Sequence, residues 1–600
     1  MAKELKKRSA VEQKYTWDLT AFYKNEATYQ QELTDTMQIV TKFAEQYQGK
    51  LNNVQTINSA LTDFRAIQEN LDQLENYVSL NISSDQTNAE NITRTGDFSI
   101  KMATMTNQLS FFNSEILQND EKLLKEAANA EQENAGYIEE ILRAKPYSIT
   151  PELEKALANF SQVFDQPYQT YLMGKLADMK FSDFEVNGKT YPNSFVLFEN
   201  EWEYEVDHDV RRKAYTEFYG KLAEYQNSFA TNYQTEVLKQ KAMATIKGFD
   251  SVIDYLLFDQ KVSREMYDRQ IDLIMEHLAP AMRKFARLLK EIHGLDKMTY
   301  ADLKLPVDFD FEPIITVEES EKIVIDGLQP LGDDYIEMVK RAYAERWIDF
   351  PQNIGKSTGA FCSSPYGLHP FILISWTERM REAFVLAHEL GHAGHFYLAG
   401  QAQNIYNTRP SLYFIEAPST MNELIVANNM IKTADSPRMK RWVYSSMISR
   451  TYYHNFVTHL LEAAYQREVY RYVDAGKPLS AQVLNELTVK AIRDFWGDEV
   501  EVPDYAGLTW MRQPHYFMGL YPYTYSAGLT IATSASEKLN RGEIQIEQWK
   551  DMLRAGGTKD PQGLAMMVDV DLSTEKPLME TIHYISSMID SIIELTEEIE

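Results

Sequence analysis

The chain has 600 residues, 44% of them hydrophobic, and its 88 acidic against 60 basic side chains leave a formal net charge of −28. That length and apolar content suffice for a large buried core and allow several domains. The charge argues against nucleic acid and anionic membranes as partners, since their phosphates would be repelled, and no run approaches the roughly 18 apolar residues of a membrane helix. No acidic run is long enough to form a dedicated site, so the charge reads as solubility, compatible at most with a weak preference for cationic peptides. A single cysteine, Cys362, allows no intrachain disulfide and suits a reducing compartment. The basic residues 1–8 lead into Ser9-Ala10-Val11-Glu12-Gln13-Lys14 without the apolar core of a signal peptide. The expectation is a soluble, cytoplasmic protein.

Helical periodicity dominates. Leu61, Phe64, Ile67, Leu71, Leu74 and Val78 recur at three and four, which predicts a long amphipathic helix, and Phe98, Met102, Met105, Leu109, Phe112 and Ile116 predict another. These stripes suit packed core faces, not a cofactor box. Thr150-Pro151-Glu152 predicts a capped helix start with proline in its first turn. Strand signals are few. Phe184-Glu185-Val186 and Lys189-Thr190-Tyr191 flank Asn187-Gly188, the strongest hairpin cue in the chain. A capping box pairs Thr316 with Glu319. Gly359-Ala360-Phe361-Cys362 reads as a sheet edge that could grip an extended peptide, Gly359 letting the backbones approach, or as a buried strand. Phe371-Ile372-Leu373-Ile374 predicts a further strand, with Trp376 just beyond it. No repeat or flexible linker marks a boundary. The expected divisions are an N-terminal helical region (1–115), the remainder of an N-terminal lobe with the hairpin (116–200) and a catalytic region (201–600), in a mainly α fold with a small sheet.

The most informative segment is Ala387-His388-Glu389-Leu390-Gly391-His392. On a helix the i, i+4 spacing sets both imidazoles on one face a turn apart, close enough to share a tetrahedral ion, with Glu389 beside them to handle the proton of a water. The chemistry indicated is hydrolysis by metal-activated water.

Catalytic zinc usually takes three protein ligands and keeps one position open. A third histidine in H-E-x-x-H-x-x-G-x-x-H would require glycine at 395 and histidine at 398, but the chain has His395 and Leu398. His395 reads instead as a core or supporting residue, and His369 as a structural loop histidine. A carboxylate from a second helix is the alternative. Phe414-Ile415-Glu416-Ala417-Pro418-Ser419-Thr420-Met421-Asn422-Glu423 offers two, since Pro418 suits a first turn and Glu416 and Glu423 would share a face. One can ligate the metal while the other accepts the distal N–H of a ligand imidazole.

His388-Glu389-Leu390-Gly391-His392 followed by Phe414-Ile415-Glu416-Ala417-Pro418-Ser419 resembles the signature of the M3 metallopeptidases, the group of thimet oligopeptidase and oligoendopeptidase F. Tyr15-Thr16-Trp17-Asp18-Leu19, Gly359-Ala360-Phe361-Cys362, His515-Tyr516-Phe517 and Tyr521-Pro522-Tyr523-Thr524-Tyr525 are similar to the oligoendopeptidase F branch, so the resemblance covers nearly the whole chain. It implies that Glu416 is the third ligand of one Zn2+ per chain, which leaves Glu423 as the acid that accepts the distal N–H of a ligand imidazole. It also implies a two-lobed helical body with a deep substrate channel, and an endopeptidase acting on short unstructured peptides. Pro522 departs from the apolar residue that relatives often carry between these aromatics.

The roles that follow give Glu389 the proton transfer and Gly359, Ala360, Phe361, Tyr516 and Tyr521 the substrate contacts. The oxyanion of the tetrahedral intermediate needs O–H or N–H donors. His515 and Tyr523 rank first for that task and Tyr525 next. Two other functions fit the motif. A metallocarboxypeptidase would need a cation for the terminal carboxylate, for which Arg512 is a candidate; a non-enzymatic peptide binder with a structural zinc would have no use for Glu389. The oligomeric state is not legible.

Overall fold

Asparagine caps start the first three long helices of the computed structural model, which describes residues 5–599. Asn25, Asn53 and Asn88 accept hydrogen bonds from backbone N–H groups that open α1 (Glu26–Tyr47), α2 (Val54–Ser84) and α3 (Ala89–Leu109), satisfying donors that have no partner inside a helix. All six residues of the predicted stripe on α2 are buried. The second predicted stripe is divided: α3 ends at Leu109, and α4 (Phe111–Gln118) begins beyond Ser110. The Ser110 hydroxyl donates to Asn107 O at 2.8 Å, a local bond that competes with the helical ladder. Phe98, Met105, Phe112 and Ile116 still reach one apolar core, which is built from residues between Tyr29 and Ile141.

A second and larger core runs from Tyr171 to Ile592. The helix Pro151–Asn159 begins as its sequence predicts, with Thr150 Oγ1 accepting from Leu153 N. The hairpin forms from β1 (Phe184–Val186) and β2 (Lys189–Tyr191), with Asn187 and Gly188 both at positive φ, 52° and 75°. The Thr316–Glu319 capping box heads the helix Val317–Leu328.

Three short strands make the sheet beside the site. β3 (Ile348–Asp349), β4 (Phe361–Ser363) and β5 (Phe371–Leu373) assemble with β5 central, parallel to β3 and antiparallel to β4. β4 is therefore an edge. Gly359 precedes this edge and does not form part of it: its φ is +82°, and a side chain there would meet nothing within 4 Å. It supplies a left-handed bend that glycine tolerates, not the close backbone approach expected of it.

The helices of the second core that carry the site are α5 (Arg381–Ala402), α6 (Ala417–Thr433), α7 (His459–Asp474) and α8 (Pro522–Asn540), with a π-helical segment, Met447–Thr458, leading into α7. The class is mainly α, as the periodicity predicts. No described helix is long and apolar enough to cross a membrane. Of the basic N-terminal stretch, residues 1–4 lie outside the described residues.

The start of the chain locks the sheet in place. Trp17 packs against Phe361 and Phe371 at ring distances of 6.4 Å and, with Leu80 of α2 and Leu373, forms a third apolar cluster. Arg8 ion-pairs with the fully buried Asp349 of β3. On the other side, Gln73 of α2 donates to Tyr366 O at 2.9 Å and Asp72 accepts from Tyr366 N at 2.7 Å. A cavity of about 810 Å³ separates the two cores there, walled by Phe64, Leu71 and Met102 on one side and by His369, Phe396 and Tyr397 on the other. Replacing Trp17 with alanine should cost about 3–5 kcal/mol, as buried aromatic truncations do. Urea titration of Trp17→Ala against wild type measures it, and an unchanged midpoint would show that the cluster contributes nothing.

Candidate active site

Leu386, Ala387, Leu390 and Ala393 of α5 are fully buried and fix its rotation, so that His388 and His392 emerge on the opposite face with ring centroids 5.0 Å apart. α6 crosses behind them at very short range. A methyl group on Gly391 would stand 2.5 Å from Ser419 Cα and collide with Pro418 O; one on Gly394 would collide with the Tyr335 ring. From the other side, Gly528 of α8 admits Glu416, whose Cβ would lie 2.8 Å from an added methyl. Asn422 locks the helix pair by donating to Ala387 O at 3.1 Å. Glu416 is thereby held at the N-terminal boundary of α6, with Ser419 Oγ donating to its Oε2 at 3.0 Å.

Glu416 Oε2 lies 3.3 Å from His388 Nε2 and 3.3 Å from His392 Nε2. Four ligands at the usual zinc distances of about 2.0–2.1 Å span tetrahedral edges of about 3.3–3.4 Å, so this two-imidazole, one-carboxylate set fits a zinc-sized ion. His388 Nδ1 donates to Glu423 Oε1 at 2.7 Å, which fixes the ring and leaves Nε2 turned toward the donor cluster. Thr451, from the π-helical segment, donates to the other oxygen of Glu423. The two acids of the 416–423 segment therefore differ in surroundings: Glu416 faces both imidazoles and Glu423 backs one of them.

The electrostatics ask for positive charge at this point. Burial alone would discharge His388, yet Glu416 and Glu423 outweigh it and hold its pKa well above the usual histidine value. Burial likewise opposes ionisation of Glu416, but His392 and His388 hold its carboxyl well below the ordinary range. A divalent cation would answer the same pull. Glu389 is different. It is buried, its pKa is raised chiefly by desolvation, and its Oε2 has no hydrogen-bond partner among the described residues. An unpartnered carboxylate oxygen beside a ligand cluster is costly to keep unless something uses it.

These groups open on a cavity of about 600 Å³ lined by Ala360, Phe361 and Cys362 of the edge strand segment, by one face of α5 from Arg381 to Phe396, and by Tyr521 and Tyr525. Tyr521 and Tyr525 stand edge to face, with ring centroids 5.3 Å apart, and burial raises both phenols so that they keep their protons. His515 sits behind them, its ring 5.5 Å and 5.7 Å from theirs, and Glu462 accepts from its Nδ1 at 3.5 Å. Glu462 also accepts from His459 Nδ1 at 2.7 Å. Burial works against its charge, but His459 and His515 bring its carboxyl down to about 2.

Two tyrosines fall elsewhere. Tyr523 is buried against Tyr267 and Tyr413 and donates to Gln260, so it cannot lead an oxyanion cluster in this cavity. Residues 521 and 525 are i, i+4 at the head of α8 and share a face, whereas 523 faces the opposite way. Tyr516 is buried too, packed on Tyr233 and Tyr465, and lines a separate small cavity. Arg512 is not free for a terminal carboxylate: it pairs with Glu203 at 2.9 Å and Glu199 at 3.2 Å and stacks on Phe198. His395 is fully buried, neither ring nitrogen has a partner among the described residues, and burial lowers its pKa to about 3. His369 stacks on Trp347, its Nδ1 2.8 Å from Pro370 O. Cys362 is a thiol, pushed far above the usual range by burial.

Sequence reasoning missed Arg381, Arg409, Arg450, Thr451, His454 and Asn455, all on the cavity wall or behind it. Arg409 lies in a loop and the last four fall within the π-helical stretch Met447–Thr458, with no motif to announce them; widened turns of this kind recur at functional sites.

Comparison with known proteins agrees with this geometry. Residues 202–584 match the model of peptidase family M3, and residues 115–181 match that of oligopeptidase F. The chain is 26% identical over 607 residues to the oligopeptidase PepF of Bacillus subtilis (strain 168), spanning 99% of this chain and 89% of that one. An oligoendopeptidase F homolog of Borreliella burgdorferi is 23% identical across 98% and 99% of the two chains. In fold it superimposes on a Chlamydophila abortus protein with a TM-score of 0.88 at 22% identity, covering 99% of this chain and 100% of that one. For the Enterococcus faecium oligoendopeptidase-F the TM-score is 0.74 at 20% identity, over 95% and 99%. The chain belongs to peptidase family M3, in its oligoendopeptidase F branch, and is a peptidase.

Gly391→Ala should displace Pro418 and Ser419 and, with them, Glu416. The expected result is a folded protein that binds less than one-tenth of the wild-type divalent metal under matched conditions, read by elemental analysis after dialysis. Full metal occupancy in this variant would mean that the helices can separate without disturbing the ligand set.

Proposed function

We propose that the protein is a zinc-dependent endopeptidase that cuts internal bonds of short, unstructured peptides. The observation that carries the reading is the buried Oε2 of Glu389, without a hydrogen-bond partner among the described residues, beside a three-donor cluster of tetrahedral spacing. His388, His392 and Glu416 would hold one zinc ion, with Glu423 orienting His388. When bound, the ion supplies Lewis acidity toward a peptide carbonyl and acidifies water enough to lose a proton near neutral pH.

The remaining work falls to the chain's own groups. Glu389 Oε2 accepts a proton from the attacking water and delivers it to the leaving amine nitrogen. The phenols of Tyr525 and Tyr521 offer O–H donors to the developing oxyanion, with His515 positioning them from behind. The exposed edge of β4 supports main-chain pairing with an extended peptide through Ala360 and Phe361, which grips substrate without reading its side chains. Helices wall the cavity on several sides, so a folded protein could present a segment to it only at the cost of its own unfolding, about 5–15 kcal/mol. The domain divisions near 115 and 200 and a cytoplasmic setting belong to the same reading.

Three results test it. Glu389→Gln should keep its zinc and lose about 10²–10⁴ in kcat; a variant of near-normal turnover removes the proposed base. Glu416→Ala should lose zinc itself, whereas release of the metal by Glu423→Ala alone would reverse the two roles.

A mixed-length peptide set, with products mapped by mass spectrometry, should show internal cuts in short peptides and almost none in denatured casein. Exclusive trimming from one end would replace endopeptidase by exopeptidase, and comparable casein digestion would remove the length limit.

Cys362→Ser should keep near-normal rates, since its protonated thiol is no nucleophile. A loss as deep as that of Glu389→Gln would contradict hydrolysis by water.

A further inference from the structure

Against a net charge of −28, the wall of the metal cavity collects three arginines, Arg381, Arg409 and Arg450. The cavity's acids are Glu389, Glu416 and Glu423. Two of them face the ligand imidazoles or back one, and the third is the proposed base, so the charge left over in the wall is positive. Two of the arginines are occupied. Arg381 pairs with Glu382 at 3.3 Å, and Arg409 lies over the Phe396 ring. The Arg450 side chain has no hydrogen bond or ion pair among the described residues, although the cavity leaves it accessible. Protein packed around it desolvates it, Arg381 adds like-charge repulsion, and Glu312, Tyr204 and Glu382 offset this only in part. A guanidinium is a planar fork of five donors that matches a carboxylate in bidentate fashion, and a partly desolvated one without a partner is a charge awaiting an anion.

We propose that Arg450 is a carboxylate-binding subsite of the substrate groove, taking either the terminal carboxylate of a peptide or an acidic side chain at a set distance from the cut bond. This rests on the peptidase reading above. Arg450 feels the charge of Arg381, and Arg381 stands seven residues before His388 on α5, about 10 Å of groove floor or about three residues of extended peptide, which sets the scale of the spacing. A carboxylate held there leaves the scissile bond internal, so the subsite favours endopeptidase action near a peptide's end over removal of single residues.

The test uses the zinc-loaded protein and three eight-residue peptides identical except that one ends in a free carboxylate, one in an amide, and one is amidated with an aspartate replacing asparagine three residues beyond the main cut. Wild type should favour the free carboxylate over the amide about tenfold or more in kcat/KM. If the source can be a side chain, the aspartate restores that preference; if not, the subsite reads the chain end alone. Arg450→Gln should bring the carboxylate-to-amide ratio to about one, and Arg450→Lys should leave an intermediate ratio. A wild type that treats all three peptides alike overturns the proposal even if Arg450→Gln fails to fold, as does a variant that keeps the full preference. Binding of fluorescently labelled versions of the same peptides to Glu389→Gln separates this failure from failure of the peptidase reading. Carboxylate-selective binding without any wild-type cleavage sinks the enzymatic function and spares the subsite, whereas cleavage without selectivity does the reverse.

Discussion

The close approach of α5 and α6 is the constraint on which the site depends. Two helices that meet through ordinary side chains lie 8–10 Å apart, and at that separation a short carboxylate on one could not reach two imidazoles on the other with equal 3.3 Å spacing. Gly391 removes the intervening side chain, Gly528 opens room on the far side for Glu416, and Asn422 ties the pair through a backbone carbonyl. The glycines are therefore as much part of the donor geometry as the residues that carry the donor atoms.

Once the helices are that close, burial sharpens every charge between them. Desolvation alone would neutralise His388, Glu389 and Glu416 alike, yet they end in different states. Glu416 is held ionised by two imidazoles, His388 is held by two carboxylates, and Glu389 Oε2 has no hydrogen-bond partner among the described residues to offset its burial. One buried helix contact thus separates a pair of ligand-type groups from a base-type group through their neighbours, not through their residue types. The same logic extends across the cavity, where Glu462 draws His459 and His515 together behind Tyr521 and Tyr525.

The cavity also shows why overall charge says little about substrate. A chain with 28 excess negative charges invites the expectation of cationic ligands, but its acids are mostly solvated on the surface, while those in the cavity are committed to the histidines and to the proposed proton transfer. What faces the groove is the local remainder, and that remainder is guanidinium.

How much of this was legible in the amino-acid order depends on the range of the interaction. The candidate ligand pair His388 and His392, the proposed base Glu389, the capped helix starts at Thr150 and Thr316 and the Asn187-Gly188 hairpin all follow from spacings of four residues or fewer, where helix and turn geometry leave little choice. The stripe from Phe98 to Ile116 was readable as core but not its break, because Ser110 chooses between the helical ladder and its own local bond only in context. Tertiary structure alone decided which of Tyr516, Tyr521, Tyr523 and Tyr525 meet the cavity, since that depends on where α8 begins and which face it turns to α6 and α7. It alone removed Arg512 to a buried ion pair with Glu203 and left Arg450 open, because a charge is free or satisfied according to partners hundreds of residues away, and no local spacing encodes them.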